Sequence, residues 1–433
     1  MKRLKRALVL YLSSVSLYAS EQSRAPRAEK VLISQVDTSA VNNSAAAMAA
    51  VDLHNVTLDD LAGLVAMKLD ATPGKTLAIK FLTDGDLLPH GYTITKPGYY
   101  ALASSVDVAG PSICTLRIKA SNVVLDLNQH AIYQSGIDAG VDGIAIAPGL
   151  KNIIVKNGKI SGVTGQGIVI GDGTHDIIIS SLTVHGCGNN GISCHGVASN
   201  KNSDITLLNS EFTNNGGHGG LLVYTDKVRM SNTLFNNNAL VGASFSHGSG
   251  HEMVKSKFCS NSGAGAAKGL ELNDVDSSAV RNCSFNANSS TSATARGLVI
   301  TGLRNVVEDC VADGNTTSAP AIAIGFDVDG SVNTLSNCSA TANHSNTKGI
   351  GFSVHAKTDH CFVKQCKAIA NSHTGFENLA PYGANLFVGN FSFGHGSLGN
   401  YTGAGIGFVV MGVAAQRSAR LIEEKGFDNI SVV

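Results

Sequence analysis

Ten glycines along the chain each open a short run in which apolar residues alternate with others. They stand 22 to 29 residues apart. The runs are Gly143-Ile-Ala-Ile146, Gly167-Ile-Val-Ile170, Gly191-Ile-Ser-Cys194, Gly220-Leu-Leu-Val223, Gly242-Ala-Ser-Phe245, Gly269-Leu-Glu-Leu272, Gly297-Leu-Val-Ile300, Gly325-Phe-Asp-Val328, Gly351-Phe-Ser-Val354 and Gly375-Phe-Glu-Asn378. A period of two marks a strand buried on one side. One such repeat cannot bury its own apolar side, whereas stacked copies share a continuous core and pair each strand with its counterparts above and below.

Between the glycines runs a second strand, as in Asn152-Ile-Ile-Val155, Asp176-Ile-Ile-Ile179 and Asp204-Ile-Thr-Leu207. A third motif closes the repeat in Asn, as in Asn209-Ser-Glu-Phe-Thr-Asn214, Asn232-Thr-Leu-Phe-Asn-Asn237 and Asn282-Cys-Ser-Phe-Asn286. Asn and Gly suit corners because they tolerate left-handed backbone, and stacked Asn side chains can bond to one another. Cys283, Cys310, Cys338 and Cys366 hold one place in four successive repeats, which reads as a ladder of small apolar core groups. The pattern predicts an all-β chain: a right-handed parallel β-helix of about eleven coils, spanning residues 90–410.

The segment Ile94-Thr-Lys-Pro-Gly-Tyr-Tyr100, followed by Ile118-Lys-Ala-Ser-Asn-Val-Val-Leu-Asp-Leu-Asn128, resembles the first coils of bacterial right-handed β-helix repeat proteins of the pectin-lyase-like superfamily, including their NosD-like group. The resemblance covers most of the chain and implies the fold. It leaves function open, because this fold carries lyases, hydrolases, epimerases and non-catalytic surface proteins. A recurring Phe-x-x-Asn, as in Phe212-Thr-Asn-Asn215 and Phe235-Asn-Asn-Asn238, is similar to passenger domains of polymorphic outer-membrane adhesins.

Ahead of the coils, Met1 to Arg6 is basic, Ala7 to Ala19 is short and apolar, and Ala19 and Ser20 are small, the order of a secretory signal. Residues 21–89 read as a linker and an N-terminal cap. Thr57-Leu-Asp-Asp60 starts a short helix there, with Leu58, Leu61, Leu64, Val65 and Leu69 on one side, suited to covering an open coil end. Residues 411–433 form a C-terminal cap. No segment beyond the signal is long and apolar enough to span a bilayer. The net charge is zero, which excludes the basic face a nucleic-acid partner needs.

Charged residues make up only 15% of the chain, so their clustering is informative. Two residues and four residues after each glycine, side chains point outward and stack into rows. The early coils are bland there, with Ala145, Val169, Ser193, Leu222 and Tyr224. The later ones bring Glu271, Asn273, Asp327, Asp329, His355 and Glu377 within five coils. Lys268 and Arg296 precede the glycines of two adjacent coils. Glu271 and Asp327 are two coils apart, about 9.6 Å, as are Asp327 and Glu377. This spacing suits an acid and a water-activating base in inverting glycoside hydrolysis. Alternatively Asp327 and Asp329 hold Ca²⁺ while Arg296 or Lys268 acts as base, as polysaccharide lyases of this fold need. A solvated, purely structural polar face is the bland alternative.

Polygalacturonase-type hydrolases combine an aspartate cluster, a Gly-His-Gly and an Arg-x-Lys. Here Gly217-His-Gly219, Gly394-His-Gly396 and Arg117-Ile-Lys119 occur without an Asp-Asp pair and in the wrong order. His247 and His251 lie in a Gly-rich stretch where isolated histidines are ordinarily solvated. The expectation is therefore an exported β-helix protein that binds or processes a polysaccharide or cell-surface glycan. In this reading Glu271, Asp327, Asp329 and Glu377 are candidate catalytic groups, and Lys268, Asn273, Arg296 and His355 are binding groups. The alternative is a non-catalytic surface, adhesin or structural β-helix.

Overall fold

The computed structural model describes residues 79–409, apart from 88–89, 109–113, 137–139, 264, 381–383, 397–398 and 404–406. The chain divides into two units, Met1–Ala50 and Val51–Val433, and all described residues belong to the second. The signal, the helix after Thr57 and the 411–433 cap lie outside the described residues.

The described residues form a right-handed parallel β-solenoid of about eleven turns. Coils without the glycine signature extend the stack at both ends, so one face carries 13 strands, from Tyr92–Ile94 to Gly399–Gly403. A 20-stranded sheet forms most of the other walls, and strand pairing on it begins at Ile79–Leu82. A three-stranded sheet continues one wall through Ser339–Thr341, Lys367–Ile369 and Phe391–Phe393. A four-stranded sheet of two-residue strands covers Ser262–Gly263, Ser289–Ser290, Thr316–Thr317 and His344–Ser345.

The repeating glycine has a direct steric cause. A Cβ on Gly269 would sit 2.6 Å from the Gly297 carbonyl oxygen, and one on Gly297 would sit 2.5 Å from that of Gly325. Each glycine thus makes room for the backbone of the next coil. The same column runs through Gly191, Gly219 and Gly242, which corrects the sequence alignment in one coil. Gly219, not Gly220, is the repeat glycine, and Ser193 pairs with Leu221. The outward residues of that coil are Leu221 and Val223, while Leu222 is buried in the core; the doubled glycine hid the one-residue offset.

Bulk passes from one wall of the core to the other. Phe212, Phe235, Phe258 and Phe285 stack on one wall at 5.0, 5.3 and 5.5 Å between ring centroids. Beyond Phe285 that wall carries Ala312, Ala340 and Ala368, and Phe326, Phe352 and Phe376 appear on the glycine-bearing wall instead, 4.8 Å apart. Phe285 meets Phe326 edge-on, where the column changes sides. From Phe326 onward, Phe on the glycine-bearing wall is thus combined with Ala on the other, which suits close packing.

Polar groups inside are arranged as ladders. The buried Asn215, Asn238, Asn261, Asn288, Asn315, Asn343 and Asn371 each donate a side-chain N–H to a neighbour's Oδ1 or to a backbone carbonyl. A backbone N–H closes each rung, for example Asn288 to Asn315 Oδ1 at 3.1 Å. Among the described residues, these turns therefore bury no unpaired side-chain amide. Among the described residues no disulfide joins the cysteines, and Cys283, Cys310, Cys338 and Cys366 form a buried column.

Candidate functional site

On the glycine-bearing face the ladder pairs Lys268 with Arg296 and Leu270 with Leu298, passing over the glycine. This break in alternation sends both the residue before the glycine and the residue two after it outward. Lys268 and Glu271 consequently meet within one strand and form an ion pair, and Ser244 Oγ donates to Glu271 Oε2 at 3.0 Å from the preceding coil.

Two rungs on, the register Glu271–Val299–Asp327 places Asp327 in the same outward row. Arg296 Nε lies 2.7 Å from Asp327 Oδ2, and His355 Nε2 lies 2.6 Å from Asp327 Oδ1. The Arg296 contact is a charge contact, since its Nε–H is aimed away from the carboxylate and finds no acceptor. Two rungs further, Glu377 pairs with Lys348 at 2.5 Å and accepts from Ser353 Oγ at 3.4 Å.

Asp327 and Glu377 side chains are only 3% and 6% exposed, whereas Arg296, Lys348 and His355 are 24%, 24% and 33% exposed. The cations lie uppermost and the carboxylates hold them from beneath. Over Asp327 and Glu377 the groups nearer to solvent are therefore basic. The hydrogen bond to Asp327, aided by the charges of Asp327 and Asp329, raises the His355 pKa above its usual 6.5, against the opposing effect of burial.

Asn273 stands four residues after its glycine and accepts from Thr301 Oγ1 at 3.1 Å. Asp329 is exposed at the same level of its coil. The structure thus brings Arg296, Asp327 and His355 into one cluster. Glu271, paired with Lys268, and Glu377, paired with Lys348, lie two coils to either side of Asp327. Lys348 was missing from the sequence reading, which looked only at the residue just before each glycine. Lys348 stands two positions earlier on the same side, and that alternation was the available signal.

The geometry weakens two of the chemistries read from spacing alone. Inverting hydrolysis needs two carboxylates with free oxygens facing a common water. Here Glu271, Asp327 and Glu377 each already carry a cation. A Ca²⁺ bound by Asp327 and Asp329 does not fit either, because Arg296 and His355 already occupy the two Asp327 oxygens. Among the described residues no group of three or more His, Cys, Asp or Glu side chains is arranged to hold a metal.

His251, read as a loop histidine, is instead buried beside Phe245. Its Nδ1 accepts from the Val228 N–H at 3.1 Å, and burial lowers its pKa to about 4. Gly217-His-Gly219 owes its second glycine to the steric column, so the tripeptide has a structural origin.

The four-stranded sheet borders the strip on the Lys268 and Arg296 side. The coil between Gly219 and Gly242 takes 23 residues, and the next three take 27, 28 and 28. The added residues form the two-residue strands, whose turns are tied by Ser290 Oγ to the Gly265 carbonyl at 2.8 Å and by Thr317 Oγ1 to the Ala293 carbonyl at 2.8 Å. These short strands therefore border the strip on one side.

The family described as "Right handed beta helix region" matches residues 103–258 and 193–323, which together span just over half of the chain. No curated protein matches the chain. Among solved structures, the Azotobacter vinelandii mannuronan C-5 epimerase AlgE6 A-module is similar in fold. It has 15% identity and a TM-score of 0.50, covering 80% of this chain and 95% of that one. The AlgE4 A-module from the same organism has 13% identity and a TM-score of 0.47, covering 78% and 90%. The Dettilon tailspike protein has 10% identity and a TM-score of 0.41, covering 79% and 64%.

Proposed function

Because this chain belongs to the right-handed β-helix family, we propose that it is an exported protein that binds a polysaccharide along the outward strip from Lys268 to Glu377. The observation that carries this reading is the layering of Arg296, Lys348 and His355 over buried carboxylates. Such a surface receives acidic sugars, since a ligand carboxylate can take the place that solvent holds above each cation. The fold likeness to the AlgE6 A-module, whose name describes action on mannuronan, supports a polysaccharide ligand. Where processing follows binding, His355 is the group placed for proton transfer, with Asp327 orienting it.

One observation favours a second reading, that of a non-catalytic surface or structural β-helix: Glu271, Asp327 and Glu377 are each already paired with a basic side chain of the same chain.

A glycan array and a depolymerisation screen on residues 21–433 test both. Binding of acidic polysaccharides, lost in an Arg296→Ala, Lys348→Ala double variant, is the expected result. Turnover lost in His355→Gln would add an enzymatic role. Absence of any glycan binding would overturn the proposal in favour of the structural reading.

A further inference from the structure

Three successive coils turn the same corner on a residue in the left-handed region. Tyr224, His247 and Asp274 have φ of 48°, 57° and 52°. Each follows the last residue of a strand on the glycine-bearing face, namely Val223, Ser246 and Asn273. A bulky side chain in that region is an outlier, and such outliers gather at binding and catalytic sites. These corners also hold one residue more than the next coil needs. Four steps lead from Asn273 to the left-handed Ser277, whereas three lead from Thr301 to the left-handed Arg304.

The three side chains hold one another. The Tyr224 and His247 rings stack with 4.8 Å between centroids and 21° between planes. His247 Nδ1 lies 2.9 Å from Asp274 Oδ2, and the Asp274 N–H donates to Thr301 Oγ1 at 2.8 Å. The His247 and Asp274 side chains are 41% and 73% exposed, and Tyr224 is partly exposed. An exposed aromatic pair recovers little apolar burial, so packing alone gives no reason for the strained backbone.

His247 covers one side of the Tyr224 ring, and the other side faces the coil of Gly196. The Gly196 N–H donates to the Val223 carbonyl at 2.8 Å. A Cβ on Gly196 would sit 2.3 Å from the Tyr224 carbonyl oxygen, so this place in the column carries no side chain. Beyond it the chain makes a wide turn. Nine steps lead from His195 to the left-handed Asp204, against four from Val223 to Lys227. Val197 and Asn200 form an antiparallel bridge in this turn, and residues 197–201 are exposed. Two polar groups stand at this end of the corner. His195 is exposed, with its Nε2 2.6 Å from Ser193 Oγ, and Lys201 is 40% exposed beside Asp226.

We propose that the uncovered side of the Tyr224 ring is a stacking subsite for one sugar ring of a bound acidic polysaccharide, a proposal that rests on the polysaccharide reading of the strip. A pyranose presents C–H groups on one face, and these pack on the π-face of an aromatic ring. Hydroxyl or carboxylate groups at the sugar's rim then take hydrogen bonds from His195 and Lys201. His247, held by Asp274, fixes the ring in place before the ligand arrives. The register Leu221–Ser244–Glu271–Val299–Asp327 puts Tyr224 four coils from the Asp327 cluster. That is about 19 Å, so an extended oligosaccharide on the strip runs from the basic side chains to the ring.

Calorimetric titration of residues 21–433 with mannuronan and polygalacturonan oligosaccharides tests this, alongside thermal scans. Tyr224→Asn removes the ring and supplies a side chain that accepts left-handed backbone; Tyr224→Phe keeps the ring. Affinity should fall about tenfold in Tyr224→Asn and stay near that of the parent in Tyr224→Phe, with both thermal midpoints close to the parent's. Unchanged affinity in Tyr224→Asn, with binding lost in the Arg296→Ala, Lys348→Ala variant, would overturn the subsite and leave the strip standing. A lowered midpoint in Tyr224→Asn with affinity intact would make the ring stack purely structural and overturn it too. Absence of binding by the parent would overturn the strip and the subsite together.

Discussion

His355 Nε2 lies 2.6 Å from Asp327 Oδ1, so a histidine one coil further along the stack holds the carboxylate that also faces Arg296. The bond raises the His355 pKa above its usual 6.5. A raised folded-state pKa gives stability that is present in full below pH 6.5 and fades as pH rises through the folded value. NMR titration of His355 should show its midpoint above 6.5, and Asp327→Asn should bring it down. An unmoved midpoint in Asp327→Asn would remove the bond from the account. Binding of acidic polysaccharide should weaken across the same rise in pH, as the strip loses one cation.

Asp327→Ala leaves Arg296 and His355 crowded without their counter-charge. We expect a loss of about 2 kcal/mol, less than for a wholly buried pair because both cations are partly solvated. Urea unfolding checks this, and a change within a few tenths of a kcal/mol would show that the pair contributes nothing net.

His251 sets an acid limit. It is 2% exposed, and its folded pKa of about 4 lies below the usual 6.5. The unfolded chain therefore takes up a proton before the folded one does. Stability is full above pH 6.5 and declines as pH falls towards 4, by roughly 3 kcal/mol in all. His251→Asn keeps an acceptor for the Val228 N–H, copying the ladder partner Asn305, and removes the titrating group. Unfolding midpoints measured from pH 7 to pH 4 should be flatter in this variant than in the parent.

Val332 has a left-handed φ of 60° and is 48% exposed. Ser277, Arg304 and His360 occupy the same corner in neighbouring coils, and only Val332 is β-branched. Val332→Asn should raise stability by about 1 kcal/mol, because Asn accepts this backbone geometry at lower cost. A thermal scan of the variant with no rise in midpoint would contradict the strain.

Asn315 accepts from both the backbone and the side-chain N–H of Asn288, at 3.1 and 3.0 Å, and donates to Asn343 at 2.8 Å. Asn315→Ala orphans two donors of Asn288 at once. Each buried unpaired group costs about 1 to 3 kcal/mol, so the loss should exceed that of Asn209→Ala, whose side chain is at the surface. Paired denaturant titrations of the two variants decide it.

Period-two alternation and the repeated glycine determine, without any structure, that this chain stacks parallel strands. Each coil repeats the same apolar pattern because it meets the same surface above and below. The cysteine column at Cys283, Cys310, Cys338 and Cys366 was legible for the same reason. Local pattern could not resolve which of two adjacent glycines, Gly219 or Gly220, sits in the column. That depends on where the Gly242 carbonyl lies in the next coil.

The site divides along the same line. Its outward rows follow from alternation, which is why Glu271, Asp327 and Glu377 could be named from the sequence. Only the stacking decided that Asp327 and Glu377 lie beneath basic side chains. Lys348 and Glu377 are 29 residues apart, and Arg296 and Asp327 are 31 apart. Contacts of that range leave no periodic trace in a single chain. They arise when the coil closes and brings a charge from one turn over a charge of the next.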